Sequence, residues 1–396
     1  MPADAIQIKQ VLDQTLAWSK EQGYMEWTKH DALNSPLLFA VFGHHRVSRI
    51  LATQAVMRFP INLRRLLGVP KSHNPKGLAL FVIALFDAFA ATGEMNYLNE
   101  ANKLLDQLLV LRSKGKWHGD CWGYQYPWQD LGFYAPKATP NAVVTAFVCE
   151  AFLHAFRATG DESRLAPVEA AVRFFLNDLA VLKDADDELC FGYMPLPMMM
   201  RVMDVSILIA AVLAQLSAIR GDIALRDTAL RLTRYVANRQ TNEGAWFYTD
   251  PPEDSPVKID NYHTGFIVDA LDRVMFALKI DFWRDHHRRG VDFYAAQLFN
   301  PDGSPRWTSN RDYPHDIHGA AQGILTFSAK ENGARYPQLA SRVIDWAFDR
   351  MYDPEGRFYY QETPYRVKKF TFVRWCNAWM CRALASHLLS VTHEKN

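Results

Sequence analysis

Apolar positions recur along this chain at three- and four-residue intervals, the period of an amphipathic helix, in one stretch after another. The pattern predicts helices at about 4–22, 36–56, 76–92, 95–112, 140–159, 163–182, 203–219, 223–239, 261–279, 282–298, 317–331, 336–351 and 370–391. A short helix near 60–67 is expected after Pro60. No sustained period-two alternation appears, so any strands are short. No linker rich in Gly, Ser or Pro divides the chain, which predicts a single domain over 1–396.

Between the helices a unit of roughly 50 residues recurs, the kind of period that marks stacked supersecondary units. Its clearest part is an acidic turn, a small residue and an aromatic pair. The copies are Asp187-Glu-Leu-Cys-Phe-Gly-Tyr193, Asn242-Glu-Gly-Ala-Trp-Phe-Tyr248, Pro301-Asp-Gly-Ser-Pro-Arg-Trp307 and Pro354-Glu-Gly-Arg-Phe-Tyr-Tyr360, with an earlier one at Trp117 to Tyr124. Tight turns such as Ala158-Thr-Gly-Asp161 and Arg220-Gly-Asp222 join paired helices, Gly as the left-handed C-cap and Asp as the next N-cap. Helices preceded by the aromatic loops (261–279, 317–331) are the more apolar and form the expected inner layer. The charged 223–239 and 336–351 are expected outside. One hairpin cannot bury its apolar face alone, so six or seven of them are expected to close into an all-α (α/α) toroid around a central cavity.

Composition adds little. With 44 basic and 43 acidic residues well mixed, the totals give no footprint for nucleic acid or an anionic membrane, although they do not exclude a local patch. No signal peptide is visible, and no stretch reaches the roughly 18 apolar residues of a membrane span. The five cysteines form no CxxC pair and read as reduced, which points to a cytoplasmic protein. Aromatics are the exception: 11 Trp and 16 Tyr, concentrated between helices.

The arrangement resembles the six-hairpin-glycosidase-like (α/α) toroids: glycoside hydrolases, unsaturated glucuronyl hydrolases, sugar epimerases and helical domains of polysaccharide lyases. Asp31-Ala-Leu-Asn-Ser-Pro36, Pro60-Ile-Asn-Leu-Arg64, Asn74-Pro-Lys-Gly-Leu78 and Asp260-Asn-Tyr-His-Thr-Gly-Phe266 are also similar to segments of bacterial exopolysaccharide and O-antigen cluster proteins. The resemblance implies an oligosaccharide or glycan substrate and carries over no catalytic residue.

In such a toroid, polar residues at the starts of inner helices converge on one mouth. Four pairs share a three-residue spacing that puts both members on one helix face: Asp31/Asn34, Asp260/His263, His315/His318 and Arg374/Asn377. Asp260, His263, Asp316, His318, Asp204 and Asp31 are therefore the candidate acids and bases. Asn261, Tyr262, Asn34, His315, Asn377, Lys76 and Arg374 are candidate substrate contacts, the two cations for an anionic group. An Asp or Asn opening a helix caps it more often than it catalyses. Asp260 escapes that objection best, because Asn261, Tyr262 and His263 follow it directly. Trp122, Tyr124 and Trp128 lie in an aromatic loop without helical period, either a binding wall or a plug; Trp246 and Trp307 read as plugs. The His pairs lack a third ligand at a telling distance, so neither metal nor cofactor is expected.

Hydrolysis would use two carboxyl groups. Uronic-acid elimination or C5 epimerisation would use Tyr or His as base, with cations on the carboxylate. A non-catalytic carbohydrate-binding protein would need the aromatics alone. Asp184-Ala-Asp-Asp187 and the Gln240–Trp246 stretch resemble triterpene-cyclase motifs, but Asp184–Asp187 aligns with the acidic turns of the other repeats, away from the mouth.

Overall fold

The repeats fold into antiparallel helix pairs. In the computed structural model, which describes residues 3–393, α1 (Ala5–Glu21) is followed by α2 (Pro36–Phe42) and α3 (Arg46–Arg58). Then come four hairpins: α4 (Pro75–Thr92) with α5 (Met95–Val110), α6 (Ala142–Thr159) with α7 (Ala166–Asp178), α8 (Met203–Arg220) with α9 (Ile223–Ala237), and α10 (Asn261–Leu278) with α11 (Arg284–Leu298). The last part holds α12 (Ile317–Ser328), α13 (Lys330–Arg335), α14 (Leu339–Trp346) and α15 (Trp379–His393), the final helix entered through a π-turn at Arg374–Ala378.

α4, α6, α8, α10, α12 and α15 touch in that cyclic order, and α15 returns to α4, so they form a closed inner ring. The outer partners are α5, α7, α9, α11 and α14; α15 takes α1. The sixth hairpin is thus assembled from opposite ends of the sequence. Inner and outer layers fall as the apolar and charged patterns predict, and six hairpins suffice because 36–67 stands outside the ring. The helix expected over 36–56 is broken at Gly43-His44-His45, and 60–67 forms turns instead of a helix. Short antiparallel strand pairs lie in the loops, for example Val202 opposite Thr249 and Gln361 opposite Asp316.

Helices α4, α6 and α8 are, by length and composition, apolar enough to cross a membrane, which corrects the expectation that no stretch reaches that limit. Their apolarity has another cause. Each is 72–83% buried among other helices, and a helix enclosed on all sides is apolar on all sides. At the end away from the aromatic loops, all six inner helices contribute to a buried polar belt. Asp87 pairs with Arg382, Gln215 donates to Glu150 at 2.7 Å, Arg273 lies 3.0 Å from Glu150, and Gln322 and Thr326 donate to Asp269 at 2.6 and 2.8 Å. This belt fills the lower end of the ring with paired groups, which lowers the cost of burying them.

The repeat glycine explains the spacing of the units. Gly244, Gly303 and Gly356 have φ of 95°, 91° and 91°, a region costly for other residues. A Cβ on each would lie 2.4–2.5 Å from main-chain atoms of Arg289, Arg342 and Gln14, on α11, α14 and α1 respectively. Each aromatic turn therefore seats on the next outer helix, and the last one seats on α1. Gly356→Ala is expected to cost about 2–3 kcal/mol, a left-handed-conformation penalty plus displacement of α1. Gly93→Ala is the control: φ is 75° there too, but nothing lies within 4 Å of the new methyl. Scanning calorimetry should show the larger fall in Tm for Gly356→Ala.

Candidate active site at the mouth of the ring

The N-terminal ends of the inner helices meet beneath the aromatic loops. Asp260 occupies the N-cap position of α10, yet its side chain makes no capping bond. Both carboxylate oxygens instead face His263 Nδ1, at 2.8 and 3.0 Å. A residue type favoured for capping is here diverted to orient an imidazole through its Nδ1 and hold its tautomer. His263 is one of the more accessible ionisable groups of the cluster, with 18% of its side chain exposed against 5% for Asp260. Burial works against the imidazolium, but the Asp260 carboxylate outweighs it and raises the His263 pKa, with Asp204 adding to the effect. Burial raises the pKa of Asp204, against the pull of His263 and Lys76, and Asp204 Oδ1 has no hydrogen-bond partner.

His318, at the start of α12, is poised in the opposite sense. Its ring stacks on Tyr262 at 4.5 Å and 10° and on Trp379 at 4.5 Å and 30°, with Trp375 edge-on at 4.5 Å. Neither ring nitrogen has a hydrogen-bond partner. Burial, then the charges of Lys76 and Arg374, push its pKa well below the usual histidine value. Tyr262 lies between the two imidazoles, its centroid 4.2 Å from His263, and Tyr248 flanks His263 at 4.5 Å.

Three cations complete the cluster. Lys76 Nζ sits 4.0 Å over Phe147 and 4.8 Å over Phe266, and its pKa is lowered well below normal by burial and by Arg374. Lys29 Nζ lies 3.4 Å over the Trp375 ring and 3.8 Å from Asp316, and burial brings its pKa down to about 8. The Arg374 amide donates to Glu26 at 2.6 Å and its guanidinium lies 5.4 Å from the Tyr124 ring. Asp316 accepts from Trp375 Nε1 at 2.7 Å, Gln361 at 2.8 Å and the His318 amide at 3.0 Å, so it organises this wall.

Burial pushes the Glu26 pKa up to about 7, with Arg374 opposing. A folded-state value above the unfolded 4.5 gives a contribution fully present below pH 4.5 and lost as pH rises through about 7. Wild type should therefore lose about 3 kcal/mol of stability across that window relative to Glu26→Gln. Denaturant melts at several pH values check this.

Other sequence candidates hold the scaffold. Trp122 is fully buried and donates to the Leu108 carbonyl at 2.7 Å, as Trp246 does to Val236 at 2.9 Å; both plug hairpin ends. Trp307 differs, half-buried with Lys29 5.8 Å from its ring. Asn377 holds the Phe358 amide and Ser19, Asn261 joins Tyr294 to the Leu298 carbonyl, and His315 bonds the Pro305 carbonyl. Asp31 is sealed against Arg64 at 2.6 Å, and Asn34 reaches the Pro70 carbonyl. Of the four spaced pairs, only Asp260/His263 bond to each other through their side chains. Tyr124 and Trp128 remain half-buried, packed edge to face at 5.3 Å beside Tyr193. The sequence reading missed Glu26 and Lys29, although Glu26-Trp-Thr-Lys-His-Asp31 is unusually dense in ionisable groups for a loop.

No family model and no curated protein sequence matches the chain. Solved structures do. A cellobiose 2-epimerase from Bacillus thermoamylovorans B4167 superposes with a TM-score of 0.61 at 11% identity, over 80% of this chain and 89% of that one. The GH76 alpha-mannanase of Bacteroides thetaiotaomicron gives 0.57 at 14% identity over 81% and 86%, and a family 88 glycosyl hydrolase from Bacteroides vulgatus 0.55 at 12% over 81% and 94%. These neighbours are six-hairpin glycosidase-like (α/α) toroids, and the chain shares their fold.

Proposed function

We propose that the protein is a carbohydrate-active enzyme working by general acid–base catalysis from the Asp260–His263 pair. The observation that carries this reading is the pair itself: a carboxylate freed from capping, bonded to an imidazole at the open end of the ring. Around it Tyr124, Trp128 and Tyr248 are half-buried aromatic side chains, the residue types that stack on a pyranose. The toroidal neighbours are named as carbohydrate-processing proteins, which supports the substrate class by analogy of fold.

In a hydrolytic reaction Asp204, whose pKa is raised by burial, is the proton donor to the leaving group, and the Asp260–His263 pair manages the proton of the attacking water. A second reading has a specific observation in its favour. His263 and His318 flank Tyr262 with their pKa values pushed apart, which is how one site holds a base and an acid at the same pH. Such a pair suits removal of a proton from a sugar carbon and its return, or elimination, with Lys29 and Arg374 beside a developing anion. A place in surface-polysaccharide metabolism is supported by the four segments similar to exopolysaccharide-cluster proteins.

Proton NMR in heavy water with neutral and uronic-acid-containing oligosaccharides tests both readings. New reducing-end signals identify the hydrolase; deuterium at a ring carbon, or unsaturated-sugar signals, identify the second reaction. Saturable binding without turnover, unchanged by Asp260→Asn, would overturn the enzyme in favour of a binding protein.

A further inference from the structure

The excursion outside the ring, residues 36–67, has a surface that the site does not use. Among the described residues, nine of the 22 exposed large hydrophobic side chains fall within residues 36–66, among them Leu37 (63%), Val41 (62%), Val47 (68%), Leu51 (63%) and Leu66 (82%). α2 buries only Leu38, so a helix made entirely of apolar residues stands with most of its faces in water. The ring gives a reason for the apolarity of α4 or α8, but none of the described residues covers the faces of α2 away from Leu38.

The charge pattern here is equally one-sided. Between Asp31 and Asp87 the chain has no acidic residue at all, whereas the whole chain is nearly neutral. Arg46, Arg58, Arg65 and Lys71 are exposed in this stretch, with His44 and His45. They interleave with the exposed apolar residues: Phe42, His44, His45, Arg46, Val47; Arg58, Phe59, Ile61; Arg65, Leu66. The core of a protein–protein interface is depleted of charge, with polar groups at its rim. Cations mixed residue by residue with Leu, Val and Phe match a different surface, the boundary between anionic headgroups and acyl chains.

We propose that the α2–α3 excursion docks the protein on an anionic lipid bilayer. It does so beside the mouth of the ring. Arg49 Nε donates to Gln129 at 2.7 Å, next to Trp128, and Arg64 pairs with Asp31, two residues from Lys29. A protein resting on this face presents its site close to the membrane surface. The docking stands independently of the reaction the site performs, since the vesicle assay needs no turnover.

The full chain is sedimented with vesicles of phosphatidylcholine alone and of phosphatidylcholine mixed with phosphatidylglycerol. Binding is expected only to the anionic vesicles, weakening as salt is raised. Leu37→Asp/Val41→Asp and Arg58→Glu/Arg65→Glu should each weaken it by about tenfold or more, with Tm unchanged because all four side chains are exposed. Absence of wild-type binding, or binding by both variants as tight as that of wild type, overturns the proposal. So does a concentration-dependent dimer abolished by Leu37→Asp/Val41→Asp without vesicle binding, which would make a second copy the occupant.

Discussion

His263→Gln is expected to lower kcat by about 10²–10⁴-fold with little change in Tm, the loss typical of removing a general acid or base. Glutamine keeps the size and a hydrogen bond to Asp260 but cannot exchange a proton near neutral pH. Asp260→Asn should also cost activity, and it separates positioning from proton transfer. Asp260 raises the His263 pKa, so the asparagine variant must shift that group's limb of the pH–rate profile to lower pH. If His263 acts as its imidazolium, activity falls as pH rises through its pKa, and Asp260→Asn brings that fall on sooner. A structural role for either residue would change Tm and leave the profile where it was.

Arg64→Ala is expected to destabilise the protein by about 3–5 kcal/mol, the cost of leaving one member of a buried ion pair alone. Arg64 is 1% exposed and Asp31 2%. The guanidinium donates to Asp31 at 2.6 Å and to the Lys29 carbonyl at 3.1 Å, and Asp31 also accepts the Thr28 amide at 2.6 Å. This knot ties the outer excursion to the loop carrying Lys29. Burial raises the Asp31 pKa and Arg64 holds it down, so without Arg64 the carboxyl would take up a proton more readily. The loss should therefore grow as pH rises. Asp31→Leu/Arg64→Met removes both charges and should recover much of the stability, since an apolar pair needs no desolvation. Hydrogen exchange would place the effect of Arg64→Ala in the segment around 28–70.

The helical ring was legible because its signals are local and repeated. Period 3.6, Gly93, Gly160 and Gly221 as left-handed caps, and acidic-Gly-aromatic turns each need only a few neighbouring residues. Helix convergence also brought Asp260, His263, Asp316 and His318 to one end. The polar belt was not legible: Asp87, Glu150, Gln215 and Asp269 stand among apolar residues of their helices, and the partners that form the belt are 53 or more residues away, on other helices. Glu26 and Lys29 were missed because their loop has no period, and only ring closure sets them against Arg374 and Asp316. Trp122 and Trp128 share one aromatic loop, yet one is a plug and the other lines the mouth. The Trp122 indole reaches the Leu108 carbonyl, whereas the Trp128 indole has no hydrogen-bond partner, and no local pattern distinguishes the two.

Pairing α1 with α15 has a consequence for vectorial synthesis. Of the helices of the ring, α1 is made before the others and carries Ile8, Val11, Leu12 and Leu16, all buried in the finished ring, while its partner α15 is made after them. Until α15 is made the ring is an open arc with the apolar stripe of α1 unpaired, a target for chaperones. Emergence of α15 joins the two edges at once. A message truncated shortly before that helix would yield a protein with five of its six hairpins and two unprotected rims, marked for disposal by its own geometry.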